Sequence, residues 1–221
     1  MKPSWLVMLF LVVLAAIFTG LHFRSINSLH LSFIACIAVT SLFLNGQENI
    51  KHIVLILLAL AIIEFSVFNY LLSINKAGLP AYQTNALIYG LHLACDVIAL
   101  IILKYRLRLS LRYTRRTNPD NWQSIYMTHA DPILYGIFFA FVIVDLAAFG
   151  ENLIRYMDLF FGVSEEASKP FWSWSWVYKN YEILKSILLS CVITTLLATI
   201  FVERQRPDTA EHELEKDTVE H

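Results

Sequence analysis

Charged side chains are scarce in this chain of 221 residues. Asp, Glu, Lys and Arg make up 16% of it, against roughly 25% in soluble globular domains. Hydrophobic residues make up 57%, and the mean hydropathy is +0.57. A water-soluble fold could not cover that much apolar surface with so few charges. The composition therefore excludes a soluble enzyme or binding domain and predicts an integral membrane protein.

Cysteines are rare, and catalytic sequence motifs are missing. Cys36, Cys95 and Cys191 each lie in an apolar run, and no CxxC or Cys/His zinc spacing accompanies them. The pattern predicts no disulfide framework and no metal site. There is also no GxSxG, HExxH, GxGxxG or P-loop. An enzyme is not favoured, although an intramembrane hydrolase stays open because its catalytic pairs need not be neighbours in sequence.

The beginning of the chain combines one basic residue with a long apolar run. A cleaved signal peptide has an apolar core of about 7–15 residues, followed by a small-residue cleavage site. Residues 5–23 instead form a run that is long enough to span ~30 Å of hydrocarbon. We therefore predict a retained first helix.

Apolar runs near spanning length recur along the chain, separated by turn-forming segments such as "NGQEN" and "SEEASKP". Because the bilayer core offers no partner for free backbone groups, such spans must be helices or a closed barrel. Runs of about twenty residues favour helices. The predicted fold is an all-α polytopic bundle whose six spans are 5–23, 29–44, 51–74, 85–103, 132–150 and 180–202.

Basic residues predict the orientation of this bundle. Loop 104–121 holds more Lys and Arg than any other loop, and short basic loops stay in the cytoplasm. Counting from it places both termini in the cytoplasm and loop 151–179 outside, in a bacterial inner membrane or an equivalent membrane. The acidic tail 204–221 lacks the apolar content for a core and is predicted to be disordered.

Two sequence features are predicted to contact lipid. Trp172, Trp174 and Trp176 directly precede the last span, which is typical of an interfacial aromatic belt. In loop 104–121, basic or polar residues alternate with Leu and Tyr, which favours contact with anionic lipid at ~1 kcal/mol per basic residue. No aromatic-interleaved platform accompanies these charges, so nucleic acid is not an expected partner. The predicted anionic-lipid contacts are Lys104, Arg106, Arg108, Arg112, Arg115 and Arg116.

Ionisable residues inside the spans carry the main functional signal, because burying a charge in the bilayer is costly. At about 1.5 Å per residue, Glu64, His92, Asp96 and Asp145 lie at similar depths on three spans. His92 and Asp96 share one helix face because they are four residues apart. We predict that His92 meets Asp145 and that Asp96 meets Glu64. Asn69 is predicted to extend a polar lane outwards.

Three acids and one histidine cannot neutralise one another completely. At least one carboxyl must carry a proton or bind a cation or water, which favours proton- or cation-linked transport or permeation. A structural polar network that joins the helices is an equally open alternative. Lys185, in the outer half of the last span, is predicted to snorkel or to pair with Asp145 or Glu182.

Two further functions stay open. One is a non-catalytic membrane partner, such as a subunit, a sensor module or an immunity-type protein, which binds other helices or a second copy of the chain. The other is a b-type haem protein, since haem b needs two axial histidines at one depth. His22 and His30 are predicted near one face, and His52 and His129 near the other. Histidines at span ends are ordinarily interfacial, so the first expectation is that no cofactor is bound.

Overall fold

The computed structural model describes residues 26–41, 44, 47–75 and 78–204. Every regular element in these ranges is helical, and no strand occurs in them, so the predicted all-α class is confirmed. Two 3-10 turns, Pro119–Ser124 and Lys169–Phe171, lie in the connections. The α-helices are α1 (Ile26–Ser41), α2 (Glu48–Asn75), α3 (Ala81–Thr117), α4 (Ala130–Arg155), α5 (Met157–Phe161), α6 (Glu165–Ser168) and α7 (Trp176–Arg204).

Helices α2, α3, α4 and α7 are long and apolar enough to cross a membrane. Helix α1 is apolar but shorter. The predicted first span, 5–23, and almost all of the acidic tail lie outside the described residues. The structure therefore supports a helical membrane protein with four helices of spanning length, while six spans and the orientation of the termini stay predictions.

The membrane-length helices are arranged as a ring together with α1. Helix α3 packs along α4, α4 packs along α7, α1 packs along α2, and α2 packs along α3. Contact between α1 and α7 closes the ring. Neighbours in the ring are mostly neighbours in sequence, as expected for antiparallel helices joined by short connections.

The outward faces of these helices are covered with large apolar side chains. Ile62, Ile98, Ile143 and Ile187, from α2, α3, α4 and α7, are each between 46% and 55% exposed. Soluble monomers rarely expose apolar surface in such continuous bands. These faces therefore suit contact with lipid, which agrees with the composition.

Helix α3 buries one stripe of residues spaced three or four apart, which is the period of an α-helix. It continues beyond the predicted span to Thr117, since no proline interrupts it before Pro119. Most of the predicted loop 104–121 is therefore helical. The buried stripe of α3 is Tyr89, His92, Asp96, Ala99, Leu103, Arg106, Ser110 and Thr114.

Arg106, within this stripe, joins three helices at what we call the Arg106 end of the bundle. Its guanidinium donates to Asp131 Oδ1 from Nε at 2.7 Å, to Asn49 Oδ1 from Nη1 at 2.6 Å and to the Tyr126 carbonyl from Nη2 at 3.1 Å. Nη2 also donates to the second oxygen of Asp131. Each of the three guanidinium nitrogens thus donates to a protein acceptor.

The prediction that Arg106 contacts anionic lipid is therefore wrong. The alternation of basic and apolar residues around Arg106 is typical of an extended interfacial segment. The backbone here is helical instead, and the period of the helix places Arg106 on the buried face of α3. Arg106 is fully buried. The other predicted lipid contacts are exposed, and their contact with anionic lipid stays a prediction; they are Lys104, Arg108, Arg112, Arg115 and Arg116.

Glu151 caps the start of α7 at the opposite end of the bundle, which we call the Glu151 end. Its carboxylate accepts the backbone N–H of Val177 at 2.8 Å and that of Tyr178 at 3.0 Å. Arg155 donates to the same carboxylate at 2.6 Å and to the Trp174 carbonyl at 2.6 Å. Free N–H groups at a helix start favour an anion, so this side-chain cap holds α7 against α4.

The substitution Glu151→Gln is expected to lower the free energy of unfolding by about 1–2 kcal/mol, because it removes the charge from three hydrogen bonds. Denaturant titration in mixed detergent micelles would measure this difference. Glu166→Gln, on an exposed side chain of α6, serves as the matched control. An equal effect of the two substitutions would contradict the capping role.

The three tryptophans predicted to form an interfacial belt lie beside this cap. Trp172, Trp174 and Trp176 are 43%, 50% and 67% exposed. Large aromatic side chains at the end of spanning helices are suited to the headgroup region. Their position is compatible with the belt, which stays a prediction.

Candidate functional site

A cavity of about 640 Å³ lies inside the helix ring and is lined by α1, α2, α3, α4 and α7. Its wall on α3 runs from Asn85 to Ile102, about 25 Å at 1.5 Å per residue. Most of the lining is apolar, including Phe33, Leu60 and Phe141. Several ionisable side chains lie near its middle, and together with the buried Asp145 of α4 they form two groups.

The first is the histidine–glutamate group, made of His30 on α1, Glu64 on α2 and His92 on α3. His92 Nδ1 lies 2.8 Å from Glu64 Oε1. The imidazole rings of His30 and His92 are stacked, with their centroids 5.5 Å apart. Phe68 contacts both rings at centroid distances of 5.5 and 5.6 Å. One donor atom from each of the three residues lies within 4.8 Å of the other two.

The second is the aspartate–lysine group, made of Asp96 on α3, Asp145 on α4 and Lys185 on α7. Lys185 Nζ donates to Asp96 Oδ2 at 2.6 Å and to Asp145 Oδ2 at 3.0 Å. Tyr181 donates its hydroxyl to Asp145 Oδ1 at 2.8 Å. The Phe141 ring lies 4.8 Å from Nζ, so the ammonium also has an aromatic face beside it. All three ionisable side chains are buried.

The two groups together hold more acid than base. Together they contain three carboxylates and a single ammonium, and the histidines add positive charge only when they are protonated. With neutral histidines, two negative charges are uncompensated. Because isolated buried charges are costly, the site must take up two protons or an equivalent positive charge. It is therefore chemically able to bind protons or a cation.

All four ionisable residues that the sequence singled out reach this region, but the predicted pairing is wrong. His92 was expected to meet Asp145, whereas it contacts Glu64. Asp96 was expected to meet Glu64, whereas it shares Lys185 with Asp145. The depth of a residue in the bilayer can be estimated from its position along the helix. The direction in which its side chain points depends on how the helix packs against its neighbours.

Asn69 was expected to extend the polar lane. Its side chain instead donates to the Phe65 carbonyl of its own helix at 2.8 Å. Asparagine side chains readily bond to a nearby backbone carbonyl in this way. The described cavity lining does not include it.

Sequence reasoning missed the central position of Lys185 and the contribution of His30. Lys185 was predicted to snorkel or to pair with Asp145 or Glu182. In the structure it pairs with Asp145, and Asp96 is a second partner. The available signal was the depth of Lys185, which lies nine residues inside α7. His30 was placed at a span end, and no sequence pattern connected it with His92.

The haem alternative is not tested by this arrangement. His22 lies outside the described residues, and His30 belongs to the histidine–glutamate group. The His52 ring packs edge-on against Tyr113, with centroids 5.5 Å apart. His129 is exposed at the start of α4. Bis-histidine haem binding stays an untested alternative.

No protein-family model, curated protein or solved structure compared with this chain matches it. The function is therefore inferred from the cavity and its charged groups alone.

Proposed function

We propose that this chain is an integral membrane protein that binds protons or cations in the cavity and carries them across the bilayer. The supporting observation is the surplus of acid: Asp96 and the buried Asp145 share one lysine, and Glu64 adds a third carboxylate beside His92 in the same region. A network that only joined the helices would be more stable with balanced charges, because an uncompensated buried carboxylate costs desolvation free energy.

The position of the cavity supports a route that opens at the Glu151 end. At the Glu151 end its lining includes Tyr178, Lys179 and Glu182, which are exposed. Towards the Arg106 end, buried apolar side chains such as Leu103 and Leu196 close it. An ion or proton thus reaches the charged groups from the Glu151 end, the predicted outer side, and passage requires the apolar core to separate, as in alternating access.

Lys185 provides a means of exchange at the centre of this route. Its ammonium lies between two carboxylates, at 2.6 Å from Asp96 and 3.0 Å from Asp145. A cation or proton that neutralises Asp96 leaves the ammonium with Asp145, so Lys185 never loses a partner. Binding at Asp96 and the position of Lys185 are thereby coupled.

Proteoliposomes that contain the purified protein are expected to show flux of H⁺, Na⁺, K⁺ or a divalent cation down an imposed gradient. Asp96→Asn is expected to lower this flux about tenfold or more, since a hydrogen bond to a charged group contributes about 1.5–3 kcal/mol and 1.4 kcal/mol corresponds to a factor of ten. A fluorescent dye inside the vesicles reports the ion. Glu166→Gln, on an exposed side chain, is expected to leave the flux unchanged.

Two results would contradict the proposal. One is the absence of flux for all of these ions in the unsubstituted protein. The other is equal flux in the unsubstituted protein and in a folded Asp96→Asn variant, with folding judged from size-exclusion elution and the thermal midpoint. The alternative of a non-catalytic membrane partner predicts the first result.

A further inference from the structure

We infer that His30, Glu64 and His92 bind a divalent transition-metal ion of the Zn²⁺ type. This inference rests on the proposed function, because it takes from it the idea that the cavity accepts cations. It adds the class of cation that is bound. Its own basis is the geometry of the histidine–glutamate group.

The three side chains converge from three helices, α1, α2 and α3. Their candidate ligand atoms lie within 4.8 Å of one another. In a tetrahedral zinc site with bonds of about 2.0–2.1 Å, neighbouring ligand atoms are about 3.4 Å apart. The His92–Glu64 distance of 2.8 Å is shorter than this, so an ion would separate these two atoms slightly and draw in His30.

The surroundings of the group hold the two imidazoles in place. Phe68 packs against the rings of both His30 and His92. His92 is also 6.3 Å from the Tyr181 ring, so aromatic side chains border it on two sides. Ligands whose orientation is fixed before binding lose less entropy when the ion arrives.

The donor set selects the class of ion. Two imidazoles and one carboxylate suit Zn²⁺, Co²⁺, Ni²⁺ and related ions. Ca²⁺ and Mg²⁺ prefer oxygen ligands. Three protein ligands leave one position of a tetrahedral ion open, and the three residues line the cavity. An ion bound here is therefore accessible for exchange.

The charge of such an ion matches the charge that the cavity lacks. Glu64, Asp96 and Asp145 against Lys185 leave two negative charges when both histidines are neutral. A divalent ion with neutral imidazole ligands supplies two positive charges. Two protons would balance the site equally well, so metal binding must be measured directly.

Cobalt titration of the tag-free, EDTA-treated full chain in detergent is a direct test. We expect one Co²⁺ per chain, a visible d–d absorption band of a low-coordinate site, and displacement of the cobalt by Zn²⁺ but not by Mg²⁺. Glu64→Gln preserves the size of the side chain and is expected to weaken Co²⁺ binding by about tenfold or more, since loss of even an outer partner of a ligand typically costs 10–100-fold. His92→Gln is expected to act in the same direction.

His129→Gln is the matched control, because His129 is exposed and remote in sequence from the three ligands. It is expected to bind Co²⁺ as the unsubstituted protein does. The inference is overturned if the unsubstituted protein binds no Co²⁺, or if a folded Glu64→Gln variant binds it with unchanged affinity and spectrum. Thermal midpoints of the variants establish that they are folded.

The outcomes for the metal site and for transport are distinguishable. Specific Co²⁺ binding without flux of any ion would support the metal site and overturn transport. Flux of protons or monovalent ions in a protein that binds no Co²⁺ would support transport and overturn the metal site.

Discussion

Replacement of Lys185 by methionine is expected to lower the free energy of unfolding by about 3–5 kcal/mol, because removal of one partner from a buried ion pair leaves uncompensated charge. The Lys185 ammonium forms an ion pair with both Asp96 and Asp145. Methionine has a similar length and fills the same space without the charge. The expected loss therefore reports electrostatics rather than a cavity in the packing.

Lys179→Met is the matched control for this substitution. Lys179 belongs to the same helix, but its side chain is exposed. Its replacement is expected to change the free energy of unfolding by less than about 0.5 kcal/mol. Both variants can be compared by denaturant titration in mixed detergent micelles.

A combined variant tests the cause of the loss. Adding Asp96→Asn and Asp145→Asn to Lys185→Met removes all three charges, and it is expected to recover most of the lost stability, since whole buried ion networks are often replaceable at little cost. Two outcomes would contradict the ion network. One is a further decrease in the free energy of unfolding when the two asparagines are added, and the other is a decrease of less than about 1 kcal/mol for Lys185→Met alone.

The second large effect is expected at Arg106. Arg106→Met should lower the free energy of unfolding by about 3–5 kcal/mol, because it leaves Asp131, whose side chain is only 11% exposed, without its cation. The same change removes donors from Asn49 and from the Tyr126 carbonyl. Helices α2, α3 and α4 would lose their common polar contact at the Arg106 end.

Arg112→Met, on the exposed side of the same helix, is the control for Arg106→Met. Its effect is expected to stay within about 0.5 kcal/mol in the same titration. Similar stability of the two variants would show that the Arg106 network does not hold the helices together. If Arg106→Met does not accumulate, Arg106→Lys retains a charge but loses the bidentate geometry, and an intermediate loss is expected.

Local sequence properties were enough to predict the membrane class and most helices. Helices of spanning length follow from long apolar runs with few charges, bounded by turn residues such as those before Ala81. These properties do not depend on how the helices pack against one another. The depths of Glu64, His92, Asp96 and Asp145 also follow from residue number, because the rise of an α-helix is constant. The sequence by itself therefore identified four of the residues near the cavity.

Which side chains meet was decided only by the tertiary structure. The rotation of each helix about its axis depends on its neighbours. This rotation places Glu64 against His92, and it places Lys185 between Asp96 and Asp145. The rotation of α3 also buries Arg106. The local alternation of basic and apolar residues had predicted that Arg106 contacts lipid. His30 joined the site through the packing of α1 in the ring, a contact that no spacing along the chain encodes. Residue type and depth are local properties, whereas partners depend on the position of all the helices together.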